Sequence, residues 1–277
     1  MAFGGETADS YYDDGLTASM KGDMARAIQC FERAIRLDNS YAVAYHQLGK
    51  CYLRMGHAAR AVELLKQVVA KKPQLQPARL DLGYALLAIG DTREARKQFE
   101  YIYSADPSNA RAQLGLAQVS FNEGDWQGAV MQARAALASG GQNFAALYLL
   151  GRAAKLAGDP ILSKESLDAA EKVIQKSVEL NPDQPEGHYL RGETCFARDQ
   201  LASALEHYRA ADDRIDSQNA DRLYSAFGEN FTQIDIWAKL GLCYQRLGKI
   251  DRAKEMGARI LARNPAHKLG QSLHELE

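Results

Sequence analysis

The sequence predicts an all-α solenoid of seven helix–turn–helix units. Three observations carry that expectation. Small residues recur in phase: Ala27, Ala61, Ala95 and Ala129 stand 34 residues apart, and Gly15, Gly49 and Gly83 keep the same step. Between them, large apolar residues follow helical spacing, as in Tyr45, Leu48 and Tyr52 and then Ala61, Leu65 and Val68. Single glycines (Gly22, Gly56, Gly90, Gly124) punctuate the middle of each unit, and prolines such as Pro73 and Pro107 close it. A fixed period of this length is the mark of stacked helix pairs.

The units follow in order. The first spans about 8–41, with Asn39 where later units have proline. The second, 42–75, sets the pattern, and the third, 76–109, carries Leu82, Gly83, Gly90, Ala95, Phe99 and Pro107 in step. The fourth, 110–143, puts Ala117 in the glycine position and Gly140–Gly141 at its end. In the fifth, 144–184, the step from Gly151 to Ala170 is longer by seven residues than the step from Gly49 to Ala61, so an insertion of that size is placed between the helices. Asp159–Pro160 reads as a cap and first-turn proline of one long helix, about Pro160–Leu180, whose start protrudes. The competing reading is a loop to Ser163 and a helix from there. The sixth unit, 185–233, holds a 15-residue insertion within Asp212–Gln233. A short helix, about Asn219–Phe227 and ended by Gly228, is expected there. Its Leu223, Tyr224, Phe227 and Phe231 are too apolar for an idle linker. The seventh unit is 234–267, and residues 268–277 form a short capping helix. The whole of 1–277 is expected to be a single solenoid domain.

The last unit gives the fullest motif, with Trp237, Leu240, Gly241 and Tyr244, then Gly248, Ala253 and Pro265. The chain thereby resembles the tetratricopeptide repeat family, whose pattern is W-x2-L-G-x2-Y … A-x3-F … P. The resemblance covers nearly the whole chain. It implies a right-handed α-solenoid whose first helices line a concave groove, and a non-enzymatic role in protein–protein interaction.

Composition narrows the alternatives. Net charge is −1, which offers no global basic field for nucleic acid. No apolar run approaches the roughly 20 residues that span a bilayer. The N-terminal MAFGGETADS lacks both a charged leader and an apolar run, so membrane insertion is not expected and a cytoplasmic location is the default. Cys30, Cys51, Cys195 and Cys243 form no C-x-x-C pair and read as small core residues in a reducing compartment. The histidines are dispersed, no glycine-rich phosphate loop occurs, and the seven units leave no stretch for a catalytic domain. Neither cofactor nor metal is expected.

Helical geometry singles out one stripe of each first helix for the groove: His46, Lys50, Leu53 and Arg54, then Leu80, Tyr84 and Leu87, then Leu114, Gln118 and Phe121. Tyr148, Arg152 and Lys155 follow, then Tyr189, Glu193 and Phe196. These side chains either fill the inner curvature or receive a partner. The candidate partner-binding residues are His46, Lys50, Arg54, Tyr84, Phe121, Tyr148, Arg152, Lys155, Tyr189, Glu193 and Phe196, because aromatics with polar tips suit recognition surfaces. Arg152 has the alternative of pairing internally with Glu193. The carboxylate clamp of co-chaperone repeats is absent: Tyr12, Leu16, Gln47, Pro77 and Asp81 occupy its region, and Asp81 would repel a carboxylate. The expected function is an interaction scaffold that takes a partner peptide or helix in the groove. The alternative is a self-assembling homo-oligomer that uses the same surfaces or the segment Ile161–Leu162.

Overall fold

The computed structural model describes residues 7–216, 222–226 and 229–277. It forms two compact units, Met1–Gly140 and Gly141–Glu277. In the first unit four helical hairpins follow one another: α1 (Ala8–Met20) with α2 (Met24–Leu37), α3 (Ala42–Arg54) with α4 (Ala58–Lys71), α5 (Gln76–Ala88) with α6 (Thr92–Ala105), and α7 (Ala110–Asn122) with α8 (Trp126–Gly140). The second unit holds α9 (Phe144–Leu156) with α10 (Pro160–Leu180), α11 (Pro185–Ala197) with α12 (Leu201–Asp212), α13 (Gln233–Arg246) with α14 (Ile250–Arg263), and α15 (Lys268–His274). Between α12 and α13 lie two short strands, β1 (Tyr224–Ala226) and β2 (Glu229–Phe231).

Helix starts are set by local chemistry. Asp23, Asp91, Asn109, Asn143 and Asp159 each accept a backbone N–H of the first turn. Thr7 and Thr232 form capping boxes with Ser10 and Asp235.

Each pair is held by a wedge. Gly15, Gly49, Gly83, Gly151 and Gly192 on the first helices face Phe31, Leu65, Phe99, Leu167 and Tyr208 on the second, always at the same i, i+16 interval. A methyl group on any of these glycines would lie within 2.9 Å of that side chain. In the fourth pair both positions are alanine, Ala117 and Ala133, and both are fully buried. In the last pair the second position is Gly257, and the slot beside Gly241 is filled by Leu273 from α15 instead. The missing side chain of Gly257 lets the α15 backbone approach, with His274 N 2.7 Å from where a Cβ would stand. The short terminal helix is therefore built into the last pair.

Within the first unit, each first helix touches the next one (α1–α3, α3–α5, α5–α7), while each second helix rests on the following first helix. The first helices thus share one face. On α1, Ser10, Asp14 and Thr17 are exposed where the second repeat buries Ala44, Leu48 and Cys51. These positions are polar on α1, so their exposure leaves no apolar surface uncovered.

Two expectations about the insertions are corrected. The helix Pro160–Leu180 is continuous, but its start does not protrude. Leu167 follows Gly151 at the regular interval and fills its slot, Ser163 takes the buried place of Ala61, and Ala170 takes that of Val68. The seven extra residues lie at the C-terminal end of α10, after Ile174, and reach the exposed Leu180. Ala170 matches a later small position of the repeat, and spacing alone therefore puts the insertion too early. In the second insertion, Tyr224–Ala226 is a strand and not the end of a helix, paired antiparallel with Glu229–Phe231. The pairing sets Tyr224 opposite Phe231, so that their rings stack across the two strands. Residues 219–221 of the expected helix, with Phe227 and Gly228, lie outside the described residues.

The wedge is least forgiving at Phe99. Its ring is held from both sides: a methyl group on Gly83 would stand 2.6 Å away, and one on Gly115 of the next pair 2.5 Å away. Gly115→Ala should therefore destabilise the protein by about 1–3 kcal/mol, since the ring cannot retreat. Urea unfolding followed by circular dichroism measures this. Gly→Ala at a helix interior otherwise stabilises by up to about 1 kcal/mol, so the sign alone is diagnostic.

Candidate functional site

In the first unit the shared face of the first helices carries an apolar ladder. Leu53, Leu87 and Phe121 recur at the repeat period on α3, α5 and α7, and all three are half-buried. Lys50 is half-buried beside them, Arg54 is exposed, and Met20 of α1 is 88% exposed. Phe121 meets the Trp126 ring edge-on at 5.2 Å. Tyr84 is more committed: its hydroxyl donates to the Arg111 carbonyl at 2.9 Å and its ring lies edge-on to Phe99. Burial pushes its phenol up to about 12, so it stays a neutral donor.

His46, also a candidate for the groove, is buried. Its Nε2 lies 2.8 Å from Asp81 Oδ2, and Arg111 donates to Asp81 Oδ1 at 3.0 Å. Asp81 thus ties α3 to α5 and α7. Burial works to raise its carboxyl pKa, but the bonds from His46 and Arg111 outweigh it and hold it below the ordinary value.

The first-helix face of the second unit is organised differently. Glu193 is buried, and donors surround its carboxylate. Tyr208 donates to Oε1 at 2.6 Å, Tyr148 donates to Oε2 at 3.0 Å, and Lys239 lies within 2.9 Å of both oxygens. A buried charge is tolerated only when paired this fully. Tyr148 is 4% exposed and stacks on Phe144 at 5.4 Å. Tyr189 is 6% exposed because Phe231 of the hairpin lies flat on it, with ring centroids 3.9 Å apart and planes 13° apart. Tyr224 stacks in turn on Phe231 at 5.4 Å. The insertion thus covers α11 with its own aromatic side chains.

Further along this face, Asp199 stands in the turn where the other pairs have glycine. Its φ of 59° is left-handed, a conformation Asp tolerates better than most residues. Its carboxylate pairs with Lys155 of α9 and Arg246 of α13. The hydrogen bonds from Lys155 and Arg246 lower its pKa. Phe196 is half-buried beneath two cations, Lys239 at 5.4 Å and Arg246 at 5.1 Å. Arg152 lies over the Tyr148 ring at 5.2 Å.

The candidate residues therefore fall into two sets. His46, Tyr148, Tyr189 and Glu193 are buried with partners inside the chain, and Lys155 is exposed but ion-paired. Lys50, Arg54, Tyr84 and Phe121 retain accessible surface in the first unit, and Arg152 and Phe196 in the second. Sequence reasoning misses Asp199, Lys239 and Asp212. Asp199 is legible, since it falls in phase with the turn glycines once both insertions are counted. Asp212 is not: its carboxylate accepts from Trp237 Nε1 at 3.0 Å and Gln233 Nε2 at 2.8 Å, across the insertion. Among the described residues, no group of three His, Cys, Asp or Glu is placed to hold a metal ion. No described helix is long and apolar enough to cross a membrane.

Family models described as "Tetratricopeptide repeat" match residues 80–133 and 162–220, residues 19–82 and 55–100, and residues 234–267. The chain belongs to the tetratricopeptide repeat family. No curated protein matches it in sequence. Similar solved structures include a tetratricopeptide repeat protein from Parabacteroides merdae ATCC 43184, at 12% identity and a TM-score of 0.61, covering 97% of this chain and 98% of that one. A MamA structure, residues 41 to the end, from Desulfovibrio magneticus RS-1 aligns at 19% identity and a TM-score of 0.55, over 62% of this chain and 97% of that one. PilW, a type IV pilus biogenesis factor, aligns at 17% identity and a TM-score of 0.51, over 98% of this chain and all of that one. At these identities the likeness is one of tetratricopeptide repeat fold.

The polar contacts and the thiols each lead to a measurable outcome. Asp81 has a lowered folded-state pKa, so its stabilisation is fully present above the unfolded value of roughly 3.9 and is lost as pH falls through the lower folded value. The stability gap between wild type and Asp81→Asn should be flat from neutral pH to about 5 and close below about 4, as read from urea midpoints across pH. Burial raises the thiols of Cys51, Cys195 (to about 11) and Cys243 (to about 12), whereas Cys30 is half-buried. Native-state maleimide labelling at neutral pH should modify Cys30 first and leave the other three unmodified until the chain unfolds.

Proposed function

We propose that the protein is a non-enzymatic protein-interaction scaffold, and that its recognition surface is the first-helix face of the first unit. The observation that carries this is the ladder Leu53, Leu87 and Phe121, three half-buried apolar side chains in register on adjacent helices. Such a row suits the apolar face of a partner peptide or helix, whose anchors recur at a similar interval. Lys50 and Arg54 beside the ladder favour acidic residues flanking those anchors. In the second unit the ladder register carries Lys155, ion-paired with Asp199, and Phe196, which lies beneath Lys239 and Arg246, so the row there is engaged within the chain. The four unpaired cysteines fit a reducing compartment such as the cytoplasm.

A pull-down tests this reading with wild type beside Leu53→Ser/Phe121→Ser. These positions are half-buried, so the variant should keep its helix content. Partners retained by wild type should be lost from the variant by at least tenfold. They should be kept by Met131→Ser, which alters a 67% exposed methionine on α8. A variant that melts like wild type and keeps every partner contradicts the assignment.

A further inference from the structure

The hairpin between α12 and α13 is more than a long connector. A direct connection at this junction needs only four residues, as Asp38–Tyr41 shows between α2 and α3. Here the whole of 213–232 makes the same link. The junction itself does not depend on that length. Asp212 at the end of α12 accepts hydrogen bonds from Gln233 and Trp237 of α13, so the neck of the insertion is closed by contacts outside it. The capping box of Thr232 and Asp235 then starts α13 independently. What the hairpin adds is aromatic cover: Phe231 stacks face to face on Tyr189, and Tyr224 stacks on Phe231. Strands of three residues are too short to hold an isolated hairpin together in water. The hairpin is stable here because the first-helix face receives it.

We propose that this hairpin is a tethered ligand. The first-helix face around Tyr189 is a binding site for an extended aromatic segment, and the chain fills it from within. Tethering supplies an effective concentration on the order of millimolar, so an aromatic segment from outside competes only when the hairpin is displaced or removed. The proposal rests on the reading that first-helix faces are recognition surfaces, and it assigns the second unit a ligand class of its own. Two short strands bearing stacked rings occupy the site, so the class is an extended peptide with a flat aromatic anchor and not an amphipathic helix.

The test uses a fluorescent synthetic peptide of residues 222–232 and the full chain. In one variant residues 214–231 are replaced by Asn-Ser, which leaves Asp213 and Thr232 in a four-residue connector like Asp38–Tyr41. Fluorescence anisotropy should show saturable binding to this variant, at least tenfold tighter than to wild type. Adding Tyr189→Ala should abolish it. No saturable binding to a variant that keeps its helix content and a cooperative melt overturns the proposal. Should the shortened chain fail to melt cooperatively, Phe231→Ala in the full-length chain decides. Tighter peptide binding than wild type supports the tethered ligand, and equal binding overturns it. Leu53→Ser/Phe121→Ser should leave this measurement unchanged, so a failure here is separable from a failure of the partner assignment in the first unit.

Discussion

The structure depends on one steric constraint, the insertion of a large side chain of each second helix into the gap above a glycine of the first. The interval is fixed, and Phe31, Leu65, Phe99, Leu167 and Tyr208 all obey it. Burying such a side chain contributes roughly 1.5–3 kcal/mol, and the close helix approach that glycine permits is what makes the burial complete. Where the large residue is missing, the chain compensates. Alanine meets alanine in the fourth pair, and Leu273 of the terminal helix serves Gly241 in the last. The wedge also decides where extra residues can go. Seven residues are tolerated at the end of α10 because its start stays in step with Gly151.

The same constraint frees the outer stripe of each first helix, and the two units use it differently. In the first unit the polar contacts, centred on Asp81, lie below a row of half-buried leucines and a phenylalanine. In the second, the same row continues as Lys155, ion-paired with Asp199, and Phe196, beneath Lys239 and Arg246, while a buried carboxylate holds two tyrosines and a lysine and a stacked hairpin covers Tyr189. Position in the repeat therefore sets which side chains reach the face. The neighbours on adjacent helices set whether they remain available.

Much of the fold is legible in the sequence, because helix pairs with a fixed period express their packing locally. Glycine and alanine spacing places the helices, and Asp159–Pro160 marks the start of α10 at its observed residue. What periodicity cannot supply is contact between side chains far apart in sequence. Glu193 reads as an exposed acidic candidate until Tyr148, 45 residues earlier, and Lys239, 46 residues later, are seen to reach it. The hairpin reads as helix because Leu223, Tyr224, Phe227 and Phe231 fall at helical spacing, and the strand pairing of Tyr224 with Phe231 settles the matter only in three dimensions. The turn aspartate is readable in principle, since it breaks a run of glycines in phase.

The contrast between an open face in the first unit and a self-filled face in the second is tested most directly by hydroxyl-radical footprinting of the free protein. Tyrosines compare with one another on a common chemistry. Tyr148, Tyr189 and Tyr208, at most 6% exposed, should oxidise far more slowly than Tyr101, which is 40% exposed, while Leu53 and Leu87 should oxidise faster than the fully buried Leu86. Oxidation of Tyr148 and Tyr189 at the rate of Tyr101, or protection of Leu53 and Leu87 equal to that of Leu86, would contradict the division.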